Sequence, residues 1–225
     1  MDYFLSNDGG SYSLTKAGIV LCAVIIALLA IVVIAFLHAK DKKATLTTKQ
    51  IVMVAAMLAL ATVTMNIKLF ELPYGGSITL FSMLFVCIIG YWYGPKIGIL
   101  SALIFSILQF IMGGSTYILS FWQVCFDYLL AFAALGLAGF FYKKKNGLLI
   151  GYIVAILVRG VMASIAGYLY WMEYMPDNFP KSLEIIYPIV YNYSYILAEG
   201  VITIIILMIP AVKNAMMQAK KMVTQ

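Results

Sequence analysis

The sequence predicts an all-α polytopic membrane protein with seven spanning segments, and three observations carry that expectation. Of 225 residues, 64% are apolar and 11% charged, with a mean hydropathy of +1.00; a soluble domain carries about 25% charged residues. The apolar residues come in runs of about 20, the length that a helix rising about 1.5 Å per residue needs to cross a hydrocarbon core about 30 Å thick. The runs are continuous and lack period-two alternation, which argues against membrane strands.

The predicted spans are 15–38, 49–70, 77–93, 96–113, 120–142, 147–171 and 188–211. The first resembles a secretory leader, but its apolar run from Ala17 to Leu37 exceeds the roughly 7–15 residues of a leader core and no basic segment precedes it. It is read as a retained helix. The second carries Ala55 and Ala59, a small-residue spacing that lets another membrane helix approach closely. Alanine is common in membrane helices, so the spacing by itself leaves docking and plain composition equally open. Between the second and third spans lies "LPYGGSITLFSM", Leu72 to Met83, which is either a plain turn or a lid. Pro73 restricts φ there, Gly75 and Gly76 permit positive φ, and Ser77 is placed to cap the next helix. Two further connections, residues 113–123 and 172–188, are long and aromatic. Such loops carry function or form the aromatic belt at the membrane interface.

Eleven of the fifteen basic residues fall in connections on one side, among them Lys40, Lys96, Lys143, Lys144, Lys145 and Lys220. The other side holds mostly acids. With seven alternating spans this places the N-terminus outside and the C-terminus in the cytoplasm. The net charge of +6 is then a topogenic bias with attraction to anionic lipid, and no basic stripe interleaves with a soluble fold as a nucleic-acid footprint would. No GxxxxGK[ST] phosphate loop is present. Cys22, Cys87 and Cys125 lie inside apolar runs and His38 is the only histidine, so no metal site is expected.

Chemistry concentrates on three ionisable residues inside apolar segments: Asp127, Arg159 and Glu199. A charge in a bilayer is costly and should face the protein interior with a partner or a ligand. The bland arrangement is an Arg159–Glu199 ion pair that fixes packing. Asp127 has more telling company. Gln123 shares its helix face at i, i+4, Tyr128 follows it, and Tyr117 stands in the preceding loop. Across the outer side, "GYLYWMEY" supplies Trp171 and Tyr174, and "YPIVYNYSY" supplies Tyr187, Tyr191, Asn192, Tyr193 and Tyr195, while Tyr74 could reach down from the turn. An acid among aromatics with an amide nearby suits a small flat cation, because ring faces and a carboxylate both attract positive charge. An anionic ligand would want arginines, and none is expected in the outer half. An enzyme is not expected: Asp127 and Glu199 lie on different helices at different depths, and no histidine accompanies a serine or cysteine nucleophile.

Four blocks in order, "LPYGGSITLFSM", "QVCFDYLLAFAALGLAGFF", "RGVMASIAGYLYWMEYMPD" and "YPIVYNYSY", resemble the thiamine-specific substrate-binding (S) components of energy-coupling factor (ECF) transporters. The resemblance covers about residues 50–210. It implies a six-helix bundle in the bacterial plasma membrane over residues 49–212, preceded by an extra N-terminal helix and basic linker (1–48) and followed by a basic cytoplasmic tail (213–225). It implies thiamine as ligand, no cofactor, and a loop at Leu72 to Ser77 that closes over the site. Binding positions transferred by motif are Tyr117, Asp127, Tyr128, Trp171, Tyr187 and Asn192, with Gln123, Tyr74 and Tyr191 added from the reading of the residues themselves. Ala55 and Ala59 match the motif that docks such a subunit on a transmembrane T component, which works with two cytoplasmic ATPases. The chain departs from the pattern at Ala163, where family members place a pocket-lining histidine, and at Ala198, where they place proline. An S component for another small vitamin or a thiamine precursor, and a self-sufficient proton-coupled importer using Glu199, are the competing expectations.

Overall fold

The structure is a computed structural model that describes residues 5–8, 11–14, 16, 20, 46–112 and 120–224. Apart from residues 16 and 20, the predicted span 15–38 lies outside the described residues, as does Tyr117. In chain order the elements are a short hairpin, β1 (Leu5–Asp8) and β2 (Ser11–Leu14); α1 (Thr48–Met65); a second hairpin, β3 (Lys68–Glu71) and β4 (Ser77–Thr79); α2 (Ser82–Tyr93); α3 (Pro95–Met112); α4 (Phe121–Phe141); α5 (Gly147–Tyr170); α6 (Tyr187–Met208); and α7 (Pro210–Thr224).

Five described helices are long and apolar enough to cross a membrane: α1, α3, α4, α5, and α6 taken together with the 3-10 turn Lys181–Ile186 before it. The predicted span 77–93 is shorter than expected. Its helix, α2, has twelve residues, ten of them buried, so it is the central post of the bundle and not a lipid-facing span. Its neighbours press in on glycine: a Cβ on Gly90 would lie 2.8 Å from the backbone nitrogen of Gly139, and one on Gly98 would lie 2.7 Å from the Gly90 Cα. Hydrogen-only side chains let α2, α3 and α4 meet backbone to backbone, the usual device where lipid supplies no hydrophobic drive between helices.

Outward faces are apolar, as a bilayer requires. On α3, Leu100, Ile104, Ile107 and Ile111 are exposed at helical spacing while Ala102 and Phe105 are fully buried. The core runs through Met83, Ile89, Phe105, Leu135, Tyr152 and Ile196.

The second span, predicted to run to residue 70, ends at Met65, and Lys68–Glu71 form β3. Asn66 caps α1 and returns its side-chain amide to the Thr62 carbonyl at 2.8 Å. The chain then pairs antiparallel, Glu71 opposite Ser77 and Phe70 opposite Ile78. Ser77 therefore belongs to a strand and caps no helix. The tip is a 3-10 turn at Pro73–Gly75, with Leu72 N–H donating to the Gly76 carbonyl at 2.7 Å. Gly75 takes φ +99°, but Gly76 stays at −63°, and Tyr74 takes φ 66°. A left-handed backbone at a bulky aromatic is strained and persists where its surroundings hold it.

The basic tail is helical. Val212, Met216, Ala219 and Val223 of α7 turn onto the core at helical spacing. Lys220 Nζ lies 3.7 Å from the Tyr91 ring centroid and donates to the Tyr142 carbonyl. Lys49 Nζ and Gln50 Nε2 of α1 donate to the Met222 and Val223 carbonyls at 3.0 and 3.3 Å. This brace stands at the opposite end of α1 from the β3–β4 hairpin.

Candidate ligand-binding site

Beneath the β3–β4 hairpin the helices leave a cavity of about 180 Å³. Four pieces of chain wall it. The hairpin contributes Tyr74, Gly75, Gly76 and Ser77; α4 contributes Asp127, Tyr128 and Phe132. From α5 and the turn after it come Arg159, Ala163, Gly167, Trp171 and Tyr174. The start of α6 adds Tyr187, Pro188, Tyr191, Asn192 and Tyr195.

Asp127 sits in a π-helical stretch, Cys125–Leu130, within α4. Such wide turns are rare and concentrate at functional sites. Ser120 starts the helix by accepting the Gln123 N–H at 3.1 Å. The buried Gln123 side chain then donates Nε2 to Asp127 Oδ2 at 2.9 Å, and Trp171 Nε1 donates to the same oxygen at 2.8 Å. Both donors thus hold one carboxylate oxygen, and Oδ1 accepts no bond among the described residues. A carboxylate in a cavity with an oxygen to spare is a counter-charge for a donor or a cation.

The walls are rings. Tyr74 of the hairpin lies 5.2 Å from Tyr174, which lies 5.3 Å from Trp171, so an aromatic row runs from the hairpin tip to the end of α5. Opposite, Tyr187, Tyr191 and Tyr195 follow one another at 6.0 and 5.9 Å. Tyr191 ties the hairpin tip down: its hydroxyl accepts the Gly76 N–H at 3.1 Å and donates to the Pro73 carbonyl. Asn192 is mostly spoken for within the protein. Its Nδ2 donates to the Ala163 and Pro188 carbonyls at 3.2 and 2.9 Å, and its Oδ1 accepts from the Tyr195 hydroxyl at 2.8 Å. One lone pair of Oδ1 remains for a ligand donor.

Of the residues singled out from sequence, Asp127, Tyr128, Trp171, Asn192, Tyr187, Tyr74 and Tyr191 border the cavity, and Gln123 stands behind Asp127. Tyr193 does not take part; its hydroxyl donates to the Leu157 carbonyl at 2.7 Å. Ala55 and Ala59 are exposed on α1.

Arg159 corrects the expected ion pair and adds a residue to the site. It makes no ion pair with Glu199, whose carboxylate bonds elsewhere, and it belongs to the cavity. The side chain is 8% exposed, its guanidinium stands 4.4 Å over the Phe132 ring, and among the described residues it has no hydrogen-bond or ion-pair partner. A signal for it was present: Arg159, Ala163, Gly167 and Trp171 recur every four residues and so form one stripe of α5. Following that stripe inward from Trp171 for about three turns reaches Arg159.

A bundle of membrane-length helices enclosing a small cavity, with one acid, one guanidinium and ring walls under a hairpin, defines a membrane protein that holds a small solute. Among the described residues no cluster of His, Cys, Asp or Glu could hold a metal ion. The family described as thiamine transporter protein (Thia_YuaJ) matches residues 51–219, and the chain belongs to that family, one of membrane transporters and not of enzymes. Its relatives include the thiamine transporter ThiT of Bacillus subtilis (strain 168), 25% identical over 147 residues, which are 61% of this chain and 76% of that protein. The fold is similar to that of ThiT from Listeria monocytogenes, with a TM-score of 0.56 and 23% identity over 70% of this chain and 92% of that one.

Proposed function

We propose that this transporter captures extracellular thiamine in the cavity under the β3–β4 hairpin and serves as the S component of an ECF complex. The observation that carries the reading is Asp127, which presents a spare carboxylate oxygen inside an aromatic enclosure. Thiamine joins a flat aminopyrimidine to a cationic thiazolium. Asp127 balances the charge or accepts the amino group, Trp171, Tyr174, Tyr187 and Tyr191 enclose the rings, and Asn192 offers its remaining acceptor. Tyr128 closes the α4 side, and Tyr117 is assigned by resemblance. The hairpin, with Tyr74 at its tip, is the lid. On this reading the lid faces outward, the N-terminus is outside and α7 is cytoplasmic. Exposed Ala55 and Ala59 offer α1 to a T component, and two ATPases supply the energy.

A thiamine precursor or related small vitamin is the second reading, and Arg159 favours it, because a guanidinium at the inner end with no hydrogen-bond or ion-pair partner among the described residues suits a ligand with an acceptor or anionic group there. The proton-coupled alternative finds no support at Glu199, whose carboxylate is engaged by backbone and hydroxyl donors.

Titration of the purified protein against a vitamin panel decides among these. Thiamine should bind tightest and quench the Trp171 emission. Preference for an anionic ligand, or no quenching in the parent and no loss on Trp171→Phe, would overturn the assignment.

A further inference from the structure

Glu199 is the remaining intramembrane acid, and it does not border the cavity. It is 3% exposed on α6. A buried carboxylate is tolerated only where donors satisfy it, and the donors here come from the root of the lid. Oε2 accepts the Thr79 N–H at 2.8 Å and the Thr79 hydroxyl at 2.7 Å; Oε1 accepts the Met83 N–H at 3.4 Å. Ser82 Oγ closes the group at 2.7 Å from Thr79 Oγ1.

The start of α2 explains why an acid is wanted there. The first N–H groups of a helix lack intrahelical partners and favour a nearby negative charge. The residue in the capping position, Phe81, has φ 62° and offers no capping side chain. Glu199 supplies the cap from a different helix.

A second anchor lies on the same stripe. Tyr191, Tyr195 and Glu199 are spaced by four and share one face of α6. Tyr191 holds the lid tip at Pro73 and Gly76. Tyr195 packs so close to Gly76 that a Cβ there would meet its ring at 2.8 Å. Tip and root of the hairpin are therefore seated on one line of α6.

We propose that Glu199 is a positioning residue for ligand retention: by capping α2 and gripping Thr79 it pins the hairpin root, so that the lid opens at its tip alone. It touches no ligand and acts through Thr79 and Met83. The retention part rests on the cavity being the thiamine site; the anchoring part does not.

The test uses full-length protein in lipid nanodiscs, with Glu199→Gln, Thr79→Val and the double variant. Gln keeps the shape but only one acceptor oxygen, so it cannot serve Thr79 and Met83 together. Amide hydrogen exchange without ligand should rise in residues 77–84 and stay unchanged across α5. Thiamine dissociation, followed by fluorescence, should quicken about tenfold, the loss of one charge-assisted hydrogen bond, while association changes less than about twofold. The double variant should be no worse than the more severe single one, because both cut the same tie. Unchanged exchange in 77–84, a rise spread over the whole bundle, or additive effects on dissociation would each overturn the proposal. A local rise in exchange, with the parent itself failing to bind thiamine, would uphold the anchor and sink the ligand assignment instead.

Discussion

Asp127→Asn isolates the charge at the centre of the site. Asparagine keeps an oxygen that can accept from Gln123 Nε2 and Trp171 Nε1, now at 2.9 and 2.8 Å, so the wall of the cavity should survive. Alanine would strand both donors, at about 1–3 kcal/mol each, and confound binding with folding. What asparagine removes is the attraction to a cation. At about 4 Å and an effective dielectric near 20, two unit charges attract by about 4 kcal/mol, and a hydrogen bond to a charged group is worth about 1.5–3 kcal/mol net. Taking the lower range, the dissociation constant for thiamine should rise about 10- to 100-fold, at about 1.4 kcal/mol per factor of ten. Titration by tryptophan quenching reads the affinity, and a ligand-free thermal melt checks the fold. An uncharged analogue of the same shape should show a much smaller difference between the two proteins. If Asp127→Asn binds thiamine within about threefold of the parent, with an unchanged melt, the carboxylate is not the ligand's counter-charge and the site reasoning fails.

Gly76→Ala should loosen the closed lid, since the added Cβ would lie 2.8 Å from both the Tyr191 hydroxyl and the Tyr195 ring. Overpacking costs about 1–3 kcal/mol, so a spin label on the hairpin should report more motion and thiamine should leave faster; unchanged kinetics would contradict the seating on α6. Ala59→Leu changes an exposed position of α1, so binding by the isolated protein should stay as it is while co-purification with a T component falls. Equal recovery of the complex would remove α1 from the docking face. Burial between rings and backbone lowers the Lys220 ammonium below its ordinary 10.5. Between that lowered value and 10.5 the unfolded chain binds more protons than the folded one, so stability should rise with pH across the window. Lys220→Met should flatten that slope in melts taken just below pH 10.5, and a slope that persists would place its origin elsewhere.

Much of this was legible because a bilayer leaves few options. Lipid offers no hydrogen bonds, so long apolar runs must become helices, and the observed ends of α3 to α6 fall within a few residues of the predicted spans. The second and third spans were less legible. Residues 66–70 and 77–80 read as ends of the flanking spans, yet the stretch forms a hairpin because Asn66 caps α1 and the Pro73–Gly75 turn reverses the chain. The shortness of α2 was hidden too, since composition does not separate a helix buried among helices from one facing lipid.

At the site, residue type alone marked Asp127, Arg159 and Glu199 as meaningful, because an ionisable group in hydrocarbon must be compensated. The compensation itself is a long-range matter. Asp127 meets Trp171 across 44 residues and Glu199 meets Thr79 across 120, and nothing local in the chain encodes those distances. The sequence by itself determined a helical membrane protein, the helices that carry its charges and the aromatic blocks around them, all set by local composition and period. Only the tertiary structure decided which acid faces the cavity and which bonds the root of the hairpin, because helix rotation and crossing are settled by packing between distant segments.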